Sequence, residues 1–191
     1  MASLQTLITT CAADEAGQQA LLLQATADAA LWDKWLSPIP GDSPVGEDPG
    51  YDDDFQQMRE EINKLSGIDT GLMCDLAERL LCTRCKDVRV ATWYIWARLH
   101  RDGESGLAEG LSLMAALVNR FGETLLPARP NSRKMAASWL GGGRFLDSLS
   151  LYPEVDRSGY QRIVAALVLL DNGLQLLSLI HISEPTRLQL I

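Results

Sequence analysis

Histidine and cysteine are scarce in this sequence, which limits the catalytic and metal-binding chemistry open to it. The 191 residues include two histidines and four cysteines. No Ser/His/Asp or Cys/His set can be assembled around His100, because nothing in the sequence marks a partner for it. We therefore expect no enzyme and no cofactor, with His100 at the surface near a helix end.

Basic clusters are also absent, and the charge balance is acidic. The chain has 17 Lys and Arg against 25 Asp and Glu, a net charge of -8. Neutralising phosphates requires a basic stripe, so no nucleic-acid partner is expected. No secretory apolar region stands at the start of the sequence, so we expect a cytoplasmic bacterial protein without a disulfide framework.

A long uninterrupted apolar run is missing as well. Residues 163–182 come nearest, but Asp171, Asn172 and Gln175 would lie at the centre of a bilayer. A central Asp costs roughly 3 kcal/mol on insertion scales. No membrane span is therefore predicted.

The last residues of the chain need separate treatment. Residues 177–187, LSLIHISEPTR, resemble a translated transposon-end adapter from a sequencing library. We exclude residues 177–191 from fold inference as adapter-derived. A helix through them is expected only to extend the one before.

What the sequence does contain is apolar residues at helical spacing along almost its whole length. No period-2 run bounded by turn residues interrupts this pattern. It predicts an all-α fold of about eight stacked antiparallel amphipathic helices, with the helix from Asp87 at the buried centre. Helices are expected over Ser3–Cys11, Ala20–Leu36, Tyr51–Leu65, Thr70 to near Arg84, Asp87–Arg101, Leu107–Phe121 with Pro127 and Pro130 closing it, Ser132–Leu140 with Ser132 as its cap, Arg144–Leu149 and Asp156–Gln175.

Proline and glycine concentrate in one segment, residues 37–50. No helix or central strand survives this density, so the segment is predicted to be an ordered loop. The helix after it carries Asp52, Asp53 and Asp54 in its first turn, where the helix dipole favours carboxylates. A second break, either a hinge or a short turn, is predicted at Gly141–Gly143.

Charged residues open the Trp-bearing helix. Asp87 is placed to cap its N-terminus, and Lys86 and Arg89 are placed to pair with acids of the proline-rich loop. The alternative is a solvated charged face. Nearby, Cys82 and Cys85 have the spacing of a redox or half-zinc motif, but no second such pair exists, so structural cysteines are the competing interpretation.

Two segments together resemble a known family. They are PIPGDSPVGEDPGYDDDFQQMREEINKL from Pro38 and KDVRVATWYIWARLHRDGESGLAEGLSLM from Lys86. They resemble the ImpA-related N-terminal domain of TssA proteins of bacterial type VI secretion, and the resemblance covers about Leu36–Leu149. The motifs that carry it are the loop Pro44–Pro49, the helix start at Tyr51, Asp52 and Phe55, the entry Lys86–Val90, the turn Gly106–Gly110, Leu125–Pro127 and the helix Arg133–Leu140.

The resemblance implies a non-enzymatic structural component that contacts baseplate, tube and sheath proteins during tail assembly. It also implies homo-oligomerisation through a C-terminal region that we expect to be missing here. The alternatives are a sheath-stopping or membrane-anchoring relative with the same N-terminal domain, a generic helical peptide-binding module, and a small metal or redox protein using Cys82 and Cys85. The loop Leu36–Tyr51 is interpreted either as a partner-binding surface or as a brace for the helices behind it.

This reading yields candidate interaction or structural residues and a division of the chain. The expected units are an N-terminal helical extension over 1–36, the ImpA-related domain over 37–150, the start of a linker or further helical region over 151–176, and the adapter-derived tail. The candidate residues are Pro44, Gly46, Asp48, Tyr51, Phe55, Lys86, Asp87 and Arg89.

Overall fold

The computed structural model describes the backbone of residues 4–152 and 156–183, and side chains up to residue 175. Over these residues the fold is all-helical, as predicted, without β-strands. Short 3₁₀ turns precede α4, follow α6 and separate α7 from α8. The helices are α1 (Leu4–Cys11), α2 (Glu15–Ala30), α3 (Asp33–Leu36), α4 (Asp53–Asn63), α5 (Thr70–Thr83), α6 (Val88–Phe121), α7 (Pro130–Ser138), α8 (Gly143–Leu149) and α9 (Arg157–Ser183).

The central helix α6 is folded back on itself. Gly103 adopts φ +63°, a left-handed conformation that interrupts the helix where the sequence predicts a turn. A Cβ on Gly106 would lie 2.2 Å from the carbonyl oxygen of Arg98, so the second arm touches the backbone of the first. Residues 88–102 and 104–121 thus form an antiparallel pair, and the first of these arms is buried at the molecular centre, as predicted.

The other helices pack around α6. One face contacts α5, which in turn carries α4, and another contacts α9. Helices α1 and α2 lie against α9, where Leu21 and Ala25 meet Val164 and Ala165 in a second apolar cluster. None of the helices in 4–152 or 156–183 has the length and apolar character that a membrane crossing requires.

Several helix boundaries differ from the prediction because side-chain caps and glycines override the apolar pattern. The second helix begins at Glu15, where the Asp14 carboxylate accepts the Gly17 N–H (2.8 Å), and it ends at Ala30 instead of continuing to Leu36. Helix α4 starts after its cap Asp52 and ends at Asn63. The predicted apolar stripe therefore loses both ends, and Tyr51 and Leu65 lie outside the helix, fully exposed.

The C-terminal helices show the same effect. Helix α6 ends at Phe121, as predicted, but Gly122 at φ +52° ends it before Pro127 and Pro130. Helix α7 begins at Pro130 and carries Ser132 in its first turn, so Ser132 is not the cap. Helix α9 continues to Ser183, past the predicted end near Gln175, and its side chains beyond that residue lie outside the described part.

A buried glutamate joins α4 to α5. Glu61 is 4% exposed, and its carboxylate accepts hydrogen bonds from the Asp69 backbone N–H and from Lys64 Nζ, both at 2.6 Å. The Asp69 hydrogen bond, followed by that from Lys64, lowers the pKa of Glu61. Its ionised form therefore stabilises the fold above the unfolded-state pKa of about 4.3, and this contribution is lost as the pH falls through the folded-state value.

We expect Glu61→Gln to lower the free energy of unfolding by about 1 to 2 kcal/mol at neutral pH. The difference from the parent should be smaller at about pH 3 than at neutral pH, because the stability linked to a lowered carboxyl pKa falls once the pH is below the unfolded-state value of about 4.3. Urea unfolding at both pH values measures this, and the exposed neighbour Glu60→Gln serves as control. A difference that stays constant with pH would contradict the assignment.

Candidate interaction surface

The proline-rich loop is fixed to the helices by backbone hydrogen bonds. The carbonyl of Val45 accepts the N–H of Lys86 (2.8 Å), and Gly46 forms an isolated antiparallel bridge with Cys85. Within the loop, the Ile39 N–H donates to the Pro44 carbonyl (2.9 Å). Val45 and Ile39 are buried, so the loop is ordered, as predicted.

Gly46 is the point of closest approach between the loop and the helices. Its φ of +72° favours glycine, and a Cβ there would lie 2.0 Å from the Arg84 carbonyl oxygen. No side chain fits in this gap. Pro44, two residues earlier, is exposed on the outer side of the loop.

Arg89 joins the loop to the start of α6. Its guanidinium donates to the Asp87 carboxylate (Nη2 to Oδ2, 2.7 Å) and to Asp48 of the loop (3.0 Å), and it lies over the Phe55 ring at 4.7 Å. Burial disfavours the cation, but hydrogen bonds and charge interactions with Asp87 and Asp48 outweigh it and raise the Arg89 pKa. Asp87 also caps α6 by accepting the Arg89 N–H (2.8 Å), as predicted.

Lys86 does not pair with an acid of the loop, so that prediction is wrong. Its backbone bridges to the loop, and its side chain is fully buried. The ammonium donates to the Trp35 carbonyl (2.6 Å) and to the Leu81 carbonyl, near the C-terminal ends of α3 and α5. The partial negative charge at helix C-termini attracts cations, which stabilises the buried ammonium at this position. Lys86 and Asp87 are both 0% exposed, so the solvated-face alternative is wrong for them.

The remaining aromatic candidates differ in their environment. Phe55 is 2% exposed, with its ring centroid 5.3 Å from that of Trp93. Tyr51 is fully exposed at the end of the loop. Five of the eight candidates thus hold the loop in place, namely Gly46, Phe55, Lys86, Asp87 and Arg89, while Pro44, Asp48 and Tyr51 reach the surface.

A groove that sequence reasoning missed runs beside the loop. Asp48 and Arg89 lie at one side, and its volume is about 520 Å³. The helical spacing of Met135 and Trp139 was the available signal, since residues four apart share a helix face. Its lining is completed by Thr92, Trp93, Pro127, Ala128, Arg129, Ser132, Met135, Ala136 and Trp139.

The cysteine pair has properties unlike those of a redox or zinc site. Both thiols are free, and Cys85 is fully buried beneath the loop. Burial, together with the nearby Asp87, raises the pKa of Cys85, and burial also raises that of Cys82. Raised thiol pKa values disfavour the thiolate, the form that binds metals and exchanges disulfides. Within residues 4–152 and 156–175, no group of three His, Cys, Asp or Glu side chains is placed to hold a metal.

His100 is half-buried near the end of the first arm of α6, so it lies near a helix end, as predicted, but is less exposed than a surface residue. Its ring packs against that of Trp96 with centroids 4.1 Å apart and the planes inclined by 44°, and Nε2 lies 2.9 Å from Ser148 Oγ. Burial, followed by the charge of Arg144, lowers its pKa and favours the neutral ring. His100, which lies on α6, therefore contributes to the packing of α6 against α8.

Comparison with known proteins identifies the same region. Residues 36–142 match the family described as "ImpA, N-terminal, type VI secretion system". Among solved structures, the chain is similar to the N-terminal domain including the conserved ImpA_N region of the TssA component of the type VI secretion system from Burkholderia cenocepacia, at 32% identity and a TM-score of 0.59. That similarity covers 65% of this chain and 51% of the other, so this chain spans about half the length of that solved chain. No curated protein sequence matches significantly.

Proposed function

The chain belongs to the ImpA N-terminal family of the type VI secretion system, and from that premise we propose that it is a non-enzymatic assembly domain of a TssA-type protein. In this role it contacts baseplate, tube and sheath proteins in the bacterial cytoplasm while the contractile tail assembles. The observation that carries the proposal is the family match itself. The matched residues, 36–142, include the loop, α6 and α7. We assign homo-oligomerisation to residues outside this match.

The loop has the physical character of a contact surface. Its backbone is fixed by Val45 and Gly46, so little conformational entropy remains to be lost on binding. Tyrosine is one of the residue types that contribute most to protein interfaces, and Tyr51 is fully exposed at the loop end. The loop can therefore have both roles. Its inner residues brace the helices behind it, and Pro44, Asp48 and Tyr51 are the residues that we propose to contact a partner.

We expect Tyr51→Ala to weaken binding to at least one baseplate, tube or sheath protein by about tenfold or more. Its stability should be almost unchanged, because the side chain is fully exposed. Leu65→Ala is a matched control, since Leu65 is equally exposed at the other end of α4. Pull-downs with purified partners from the same gene cluster measure the effect.

Two results would contradict the proposed role. One is that none of these proteins binds the unaltered gene product. The other is that Tyr51→Ala and Leu65→Ala reduce binding equally, which would assign no particular role to the loop. Thermal melts of each variant show whether any loss reflects unfolding.

A further inference from the structure

Helix α7 is incompletely packed. It has nine residues, none of them buried, and Met135 on it is 74% exposed. So short a helix is not stable alone in water and relies on its contacts. Its anchor is Arg133, whose guanidinium donates to the carbonyls of Leu125 (3.1 Å), Pro127 (3.1 Å) and Ala128 (2.8 Å). These bonds fix α7 to the segment that connects it to α6, and residues of α6, of this segment and of α7 line the groove.

The apolar part of the groove is held in shape before any partner arrives. Trp93 on its α6 side packs on Phe55, and Trp139 on its α7 side packs on Phe145 with ring centroids 6.2 Å apart. Met135 projects between them as a flexible apolar side chain that adapts to what it contacts. Trp, Met and Arg are residue types enriched at protein interfaces.

The segment that contains α7 has a charge opposite to that of the whole chain. Between Glu123 and Asp147 the sequence has four basic residues and no acid, in a chain of net charge -8. The guanidinium groups of Arg133 and Arg144 donate hydrogen bonds to backbone carbonyls. The other two basic residues are Arg129 and Lys134.

Arg129 and Lys134 remain available for a partner. Both are exposed, and within the described residues neither makes a side-chain hydrogen bond or ion pair. Arg129 lines the groove itself, whereas Lys134 lines a separate pocket with Leu140 and Leu170. The one acid in the lining, Asp48, is already paired with Arg89.

We propose that this groove binds an acidic protein segment that inserts a large apolar side chain against Trp93, Met135 and Trp139 and places a carboxylate beside Arg129. Bidentate pairing of Arg with a carboxylate supplies orientation, and burial of the apolar side chain supplies affinity. One available cation in the lining is too few for a nucleic-acid surface, whose affinity grows with the number of phosphates neutralised. The inference rests on the proposed function only in taking the occupant to be a protein.

The test is to pan a random peptide library on the purified 191-residue chain and to measure the selected peptides by fluorescence anisotropy. Selected peptides should carry Asp or Glu beside Trp, Phe or Leu. Arg129→Glu and Met135→Asp should each weaken them by about tenfold or more. Arg59→Glu, an exposed cation on α4 outside the groove lining, should change affinity less than about twofold.

The proposal is overturned if no peptide is enriched over the Arg129→Glu/Met135→Asp double variant, or if the enriched peptides lack acids. Tighter binding of an oligo-dT probe than of any peptide would also overturn it. Circular dichroism and melting of each variant exclude unfolding as the cause of lost binding. The result is separable from the proposed function, because sheath assembly can depend on this gene whether or not the groove takes acidic peptides.

Discussion

Gly46→Ala is expected to lower the free energy of unfolding by roughly 2 to 5 kcal/mol. The left-handed conformation at φ +72° contributes roughly 1 to 2 kcal/mol of this. The rest comes from overlap, because the new Cβ would lie 2.0 Å from the carbonyl oxygen of Arg84. Overpacking costs typically 1 to 3 kcal/mol, and here the clash is with backbone, which yields less readily than a side chain.

Gly67→Ala separates the two causes of that loss. Gly67 has nearly the same φ, +66°, but nothing lies within 4 Å of the position its Cβ would take. It should therefore lose only the conformational contribution, roughly 1 to 2 kcal/mol. Urea unfolding of both variants measures the difference. Equal losses of unfolding free energy in the two variants would contradict the close contact between Gly46 and the backbone of Arg84.

Arg89→Ala is the other substitution expected to have a large effect, roughly 3 to 5 kcal/mol. It leaves the Asp87 carboxylate, which is 0% exposed, without its cationic partner. Removing one partner of a buried ion pair is strongly destabilising because an uncompensated charge stays behind. The guanidinium also covers the Phe55 ring, so packing is lost together with charge.

The two carboxylates bound by the Arg89 guanidinium can be compared with each other. Asp48 is the second carboxylate bound to Arg89, but its side chain is 55% exposed. Because water replaces exposed partners at little cost, Asp48→Ala should change the free energy of unfolding by no more than about 1 kcal/mol. Chemical unfolding of both variants tests this contrast. If Asp48→Ala lowered the free energy of unfolding as much as Arg89→Ala, the stabilisation by Arg89 would come from its contact with Asp48 and not from neutralising the buried Asp87.

The helices were predictable because their signals are local. Apolar spacing identified both arms of α6, and Gly103 gave the position where the chain reverses. Asp87 was recognisable as a cap from its place ahead of an apolar run. The ends of α4 were missed because Asp52 takes the cap one residue after Tyr51, which periodicity does not register.

The candidate surface was only partly predictable because it depends on contacts between distant segments. Arg89 was correctly matched with an acid of the loop, since the two residues carry complementary charge. Lys86 was misplaced because its inward direction follows from the bridge between loop and helix, which no local pattern contains. The groove was missed for the same reason, since Trp93 and Trp139 belong to different helices and their proximity depends on tertiary packing.

The most direct test of the proposed assembly role is fluorescence microscopy of a tagged sheath protein in the bacterium that carries this gene, with the chromosomal gene deleted. Extended sheaths should disappear from nearly all cells and return when the unaltered gene or its Leu65→Ala form is restored. The Tyr51→Ala form should fail to restore them although it is present at normal levels. Normal sheath assembly in the deletion strain would contradict the account.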